Sequence, residues 1–328
     1  MNLRSISVAT PQVWDESPTI PLRRGQPAAR GFAAVLAHLD QAVLHHWEAT
    51  LDDTDPEALH QLRVALRRSR SVLRAADTIF ADTTLDRFSD DLRWLAGLTG
   101  PTRDLDVFIA EWHRYTDGLD KRSIAALLPV SERLHRHRRA AFETLVDGME
   151  SERAEQLVAA WTDALVEIRD GSAQIGKHGD RRLGRVVTQR ITAAHRRLVK
   201  DGRAITDKSP STALHELRKD AKRLRYLVEC FGGALPKKAS KHFVDRLKEL
   251  QDNLGAIQDG AVHRTELEAV AAELAQEHAS RTTMLALARL TDRIDSTAAD
   301  ARTEFAERFA DFDSKGTRRV LERLVGDR

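Results

Sequence analysis

Cysteine is almost missing from this chain: Cys230 is the single one in 328 residues. That excludes an intramolecular disulfide framework and suits a reducing compartment. The thiol falls at the end of a helical pattern, between its apolar and cationic arcs, and reads as a packing residue. Aromatics are scarce, at 5%, and no hairpin dipeptide lies between alternating runs, so strand signals are absent. No apolar run approaches the roughly 18 residues of a membrane span, and the N-terminus lacks the apolar core of a signal peptide. A soluble, cytoplasmic protein is expected. Net charge is also small: 52 Lys and Arg against 50 Asp and Glu leave +2, which argues against holding nucleic acid by overall charge. Catalytic motifs are missing as well. There is no phosphate-binding Walker loop, no Gly-x-Ser-x-Gly, no H-E-x-x-H and no His-Asp dipeptide. No catalytic residue, metal or cofactor is therefore assigned, and hydrolytic chemistry has no support in the sequence.

What the chain does have is segregated charge. In HQLRVALRRSRSVLR, wound at about 100° per residue, His60, Arg63, Arg67, Arg70 and Arg74 fall within roughly a quarter of the circumference. Leu59, Leu62, Ala65, Leu66, Val72, Leu73 and Ala76 collect on another side, which must face a core. A salt-laced surface helix would carry acids at i+3 or i+4, yet none occurs between Glu57 and Asp77. The stripe needs a partner from elsewhere.

The device recurs 155 residues later, where the chain reads HELRKDAKRLRYLVECF from His215. His60 maps to His215, Arg63 to Arg218, Arg67 to Lys222, Arg68 to Arg223 and Arg70 to Arg225. Phe88 maps to Phe243, Leu92 to Leu247, Gly100 to Gly255 and Asp104 to Asp259. Arg74 becomes Glu229, so the second stripe is one cation shorter. This is a duplication of one helical unit, since solenoid repeats run about 20–50 residues.

The pattern H-x-L-R-x-x-x-[RK]-R-x-R, twice, each followed by a Leu-rich helix and a Gly-x-x-x-Asp turn, resembles the CHAD family, the conserved histidine α-helical domain. LRKDAKRLRYLVE and GPTRDLDV carry the likeness most closely, and it covers about residues 28 to 328. The resemblance implies a double helical bundle whose basic helices line a central groove that binds inorganic polyphosphate. Many relatives also carry a triphosphate-tunnel domain with an E-x-E-x-K strand; that motif is absent here, and the associated activity is not implied.

The expected architecture is all-α: two tandem duplicated bundles of about six helices each, in a pseudo-two-fold relation around a basic central cleft. Residues 1–27, with Pro11, Pro18, Pro21, Gly25 and Pro27, read as an extended or disordered leader that Val8, Val13, Trp14 and Ile20 could pin. The first half spans 28–170, a glycine-bearing linker 171–180, and the second half 181–328. Asp55-Pro56 supplies an N-cap and a proline at the first helical position of the basic helix. Gly100-Pro101 reads as a stop after a helix over about 83–98, with another beginning near 102; in the second half, breaks fall near 254–258. One helix is expected over about 121–148.

A third stripe lies on the helix of about 181–204, where Arg185, Arg196 and Lys200 share a face. The run ERLHRHRRA clusters Arg133, Arg136, His137, Arg138 and Arg139, while Arg93 and Arg103 are scattered additions. His60 and His215 read either as donors to phosphate or as histidines that orient a neighbour; one histidine per helix is a poor metal site. Asp104, Asp106 and Asp259 read as caps or as anchors for arginines. Guanidinium groups bind phosphate oxygens bidentately, and the stripes hold almost no aromatics beyond Tyr226, which favours a polyanion without bases. The expected partner is inorganic polyphosphate, bound without turnover at cytoplasmic granules. The main contacts are Arg63, Arg67, Arg70, Arg218, Lys222 and Arg225, then His60, His215, Arg74, Arg196 and Lys200, with Arg185, Arg133 and Arg136 weaker. A nucleic-acid or acidic-protein adaptor, and a metal-dependent phosphohydrolase, are the alternatives.

Overall fold

Asp55 caps the basic helix as its sequence predicts: its carboxylate accepts a hydrogen bond from the Glu57 amide, and Pro56 takes the first turn. The computed structural model describes residues 20–326, the side chains of 82–87 excepted. It is 82% helical, which settles the class as all-α. The helices are α1 (Ala28–Leu51), α2 (Pro56–Ala75), α3 (Asp82–Thr116), α4 (Lys121–Ala126), α5 (Leu128–Met149) and α6 (Glu152–Asp170) before the linker. After it come α7 (Leu183–Arg203), α8 (Ser211–Cys230), α9 (Lys237–Gln276), α10 (Arg281–Phe312) and α11 (Lys315–Val325). Both ends of α8, and the start of α9, lie 155 positions beyond those of α2 and α3. No described helix is long and apolar enough to cross a membrane.

Three helix boundaries differ from the sequence expectation. α3 runs straight through Gly100-Pro101, and α9 runs through 254–258 as one 40-residue helix. Pro101 removes a donor from inside α3, but Arg63 of α2 reaches that turn and donates to Thr99 Oγ1 at 3.2 Å. Within α9, Gly260 lets α10 approach: a Cβ there would stand 2.7 Å from the Ala298 Cβ. These residues serve close packing of long helices, which is why they do not terminate them. The expected helix over 121–148 is broken at Leu127, and Pro129 opens α5 after the break.

α3 and α9, of 35 and 40 residues, span about 50 and 60 Å at 1.5 Å per residue. Their leading halves join α1, α2, α6, α7 and α8 in one apolar cluster, where Phe32 and Phe231 meet at 4.6 Å between ring centroids. Their trailing halves form a second cluster with α4, α5 and α10 around Phe108, Leu134 and Leu290. Each cluster draws on residues from both sides of the linker. The linker itself lies against the α2–α3 turn, where a Cβ on Gly176 would stand 2.4 Å from the Phe80 carbonyl oxygen. Of the leader, Ile20 and Leu22 pack on the first cluster; Val8, Val13 and Trp14 lie outside the described residues.

Leu62 and Leu66 of α2, and Leu217 and Leu224 of α8, are almost wholly buried. At roughly 1.5–3 kcal/mol for each such side chain, this burial fixes how both helices are rotated. The cationic arcs must then face wherever the apolar arcs do not.

Candidate anion-binding cleft

α2 and α8 pack against each other and are tied by one residue the repeat does not share. Glu229 stands where the first copy has Arg74. Its carboxylate accepts a hydrogen bond from Arg68 Nη2 at 2.9 Å and pairs with Arg225 Nε at 3.5 Å. The Tyr226 ring sits under both guanidinium groups, 5.9 Å from that of Arg68 and 5.5 Å from that of Arg225. The loss of one cation from the second stripe thus provides the cross-link that sets the two stripes side by side.

Between them opens a cavity of about 670 Å³. Seven cations line it: Arg67, Arg70 and Arg74 from α2, Arg93 from α3, and Lys219, Lys222 and Arg223 from α8. The single acid is Asp77; Ser71, Thr78 and Ser89 add hydroxyls. The ring residues of the wall, Phe80 and Tyr226, are buried at 4% exposure each and offer no stacking face. A smaller cavity of about 320 Å³ adjoins it, lined by Arg114, Arg218, Lys222 and Arg225 together with Glu111, Asp252 and Asp259. Lys222 borders both.

The cations press on one another. Burial and then Arg67 lower the basicity of Arg63 to about 10. Burial, Arg93 and Arg67 lower that of Arg70. Burial lowers Arg218, with Arg67 adding to it and Asp259 opposing it. Lys222 falls to about 7 through burial, then Arg218, then Arg67. Arg67 acts on groups from both helices, so the two stripes converge. Among the described residues, the side chains of Arg67, Arg70, Arg74 and Lys222 have no hydrogen-bond or ion-pair partner. The Nε atoms of Arg218 and Arg225 are buried without a hydrogen bond. Such a site stores repulsion that an anion would relieve.

Arg63 and the two histidines line neither cavity, but the 155-residue offset is visible in their neighbours' contacts. Arg63 lies over Gly100 and reaches Asp104 at 3.6 Å; Arg218 lies over Gly255 and reaches Asp259 at 3.4 Å. A carboxylate thus anchors each arginine, and Asp106 anchors Arg138 likewise at 2.9 Å. His215 Nδ1 bonds Gln258 Oε1 at 2.6 Å, which orients its ring toward α9. His60 is half-buried, and burial, followed by Arg103, keeps its basicity below the ordinary histidine value. Neither histidine lines the large cavity. No group of three or more His, Cys, Asp or Glu side chains able to hold a metal occurs among the described residues. Cys230 is buried and its thiol is pushed up to about 12, which leaves it inert.

The CHAD domain model matches residues 33–268, more than half of the chain. The chain belongs to the CHAD family. Two uncharacterized proteins from two strains of Mycobacterium tuberculosis are each 30% identical to it over 275 residues, covering 80% of this chain and 49% of theirs. The chain therefore spans about half the length of these curated relatives. The crystal structure of the CHAD domain from the plant Ricinus communis matches with a TM-score of 0.69 at 22% identity, over 94% of this chain and 96% of that one. PptA from Streptomyces chartreusis matches with a TM-score of 0.66 at 18% identity, over 86% and 99%. At these identities the likeness is one of fold.

Within this CHAD domain, several residues expected at the cleft lie elsewhere. Arg133 is buried on α5, where it pairs with Glu273 at 3.4 Å and with Glu277, so its charge is spent on joining α5 to α9. Arg136 is exposed on the same helix and lines neither cavity. Arg185, Arg196 and Lys200 are exposed on α7 and also line neither. The side of α7 that does meet the cleft lies about 100° further round. There Arg190 donates to the Asp77 carbonyl and Thr78 at the rim, and Arg197 bonds Asp220 of α8 at 2.9 Å. Lys219 and Arg223 were the less visible members of the wall. Glu216 and Asp220, three positions before each, give them the look of an ordinary salt-laced face.

Proposed function

We propose that the cleft binds inorganic polyphosphate, an extended polyanion without bases, and holds it without turnover, so that the protein associates with polyphosphate granules in the cytoplasm. The observation that carries this reading is the convergence of cations from α2 and α8 that lower one another's basicity: Arg67 on Arg63, Arg70, Arg218 and Lys222. A row of phosphates each bearing about one negative charge would offset that repulsion along the whole wall. Arginines dominate it, and they meet phosphate oxygens in pairs. The buried aromatics leave nothing for bases to stack on, which weighs against single-stranded nucleic acid.

The first contacts are Arg67, Arg70, Arg74 and Lys222, then Arg93, Lys219 and Arg223. Arg218 and Arg225 act from the smaller cavity. Arg63, His60 and His215 line neither cavity and are not placed among the contacts. A titration with polyphosphates of several chain lengths, at several salt concentrations, tests the reading. Affinity should rise with chain length and fall linearly on a log–log salt plot, as counterion release requires. Long-chain polyphosphate should displace duplex DNA at equal phosphate concentration; displacement in the reverse sense would instead identify a nucleic-acid adaptor. Phosphate release on adding Mg²⁺ or Mn²⁺ would identify a hydrolase.

A further inference from the structure

Position 222 holds a lysine that borders both cavities, and its equivalent in the first copy, position 67, holds an arginine. A guanidinium keeps its proton at any biological pH, whereas an ammonium surrendered to a buried cationic site does not. Lys222 stands in the wall between the two cavities, in reach of ligands in either. Arg67 and His60 face it from α2, and Arg218 and Arg225 from its own helix. From α9 it meets Asp259, and its smaller cavity also holds Asp252 of α9 with Glu111 and Arg114 of α3. Asp259 pairs with Arg218 at 3.4 Å and opposes the lowering of Lys222, but burial, Arg218 and Arg67 outweigh it.

We propose that anion binding in the cleft takes up a proton at Lys222, so that affinity depends on pH near neutrality. This rests on the polyanion reading of the cleft. Without an anion, the amine is half neutral at about pH 7. Phosphate oxygens beside it favour the charged form, and the amine takes a proton from solvent to become an ammonium. The full attraction is present below pH 7. It declines as pH rises, by up to about tenfold in affinity per pH unit, until the pKa of the bound state is passed. His60 is also held below its ordinary value and its imidazole is neutral at pH 8 in the free protein, so the variants at position 222 are what separate its uptake from that of the lysine.

The test is calorimetry of the whole chain with long-chain polyphosphate at pH 8, in two buffers of very different ionisation enthalpy. The wild type should take up between about half and one proton per site, and Lys222→Arg close to none. Lys222→Met should bind more weakly, with an affinity that stays flat between pH 7 and 9 apart from the titration of the ligand's chain ends. It serves if the arginine does not fit. Binding with no buffer dependence in the wild type, or equal uptake in the two variants and the wild type, overturns the proposal. Absence of any binding at pH 6.5, where the amine is mostly charged, removes the polyanion reading itself and the coupling with it.

Discussion

Two regions of this chain are equally basic to the eye and opposite in their physics. The α2–α8 pair collects cations whose basicity is lowered: Arg63 to about 10, Lys222 to about 7, with Arg70 and Arg218 moved the same way. The run on α5 collects cations whose basicity is raised. Burial alone would lower His137, but hydrogen bonds to Glu266 and Glu273 raise it. Asp53, and then Asp106 against burial, raise Arg138. On α5 the fold has already supplied the anions; between α2 and α8 it pairs Arg63, Arg68 and Arg218 with Asp104, Glu229 and Asp259 but leaves Arg67, Arg70, Arg74 and Lys222 without one among the described residues. A raised value marks charge the protein satisfies for its own stability. A value lowered by neighbouring cations, on a side chain left unpaired, marks charge that an outside anion would meet.

The sharpest way to break this comparison is charge reversal in the cleft. Arg67→Glu with Lys222→Glu should reduce polyphosphate affinity at least about a hundredfold at fixed low salt, since each charge-assisted contact is worth about 1.5–3 kcal/mol. Helical content by circular dichroism should be unchanged; affinity that stays put would remove both residues from the site. The converse experiment is Arg133→Ala on α5. It should cost about 2 kcal/mol of stability in urea unfolding, because Glu273 and Glu277 lose a buried partner, yet leave affinity within about twofold. A large loss of binding without loss of stability would place α5 at the ligand after all.

A third prediction concerns pH. Because the folded value of His137 is raised, its contribution to stability is complete below the unfolded value of about 6.5 and disappears as pH rises through the folded one. His137→Gln should therefore lower the melting temperature by about 1–3 °C more at pH 6 than at pH 8.5. Equal losses at both pH values would mean that the ring stays neutral. The smallest effect is expected on α7, where Arg185, Arg196 and Lys200 point into solvent. Changing all three to Gln should alter affinity no more than about threefold and barely move the salt slope. A drop of an order of magnitude would extend the binding surface around α7.

Much of this was legible in the residues, for reasons that can be named. The 3.6-residue period, Asp55-Pro56 and the offset between His60 and His215 are local or pairwise features; they marked the start of α2 and the motif that α8 carries. The stripe on α7 was equally visible as a stripe. Its direction was not, because the neighbours of a helix face are a tertiary fact. Gly100-Pro101 looked like a stop because glycine and proline destabilise an isolated helix. In the folded chain Arg63 lies over that turn and donates to it, and α3 continues.

The amino-acid sequence by itself determined which residues can lie on one helical face, that an apolar arc opposes the cationic one, and that the His-x-Leu-Arg motif recurs 155 residues on. Those follow from helix geometry and from the chemistry of each side chain. Only the tertiary structure decided which cations meet acids and which meet each other. Glu273 lies 140 residues from Arg133, and Arg218 lies 151 from Arg67, so no local rule ranks the two encounters. Electrostatic energy depends on distance and burial in space, and both are set when the apolar arcs choose the rotation of each helix.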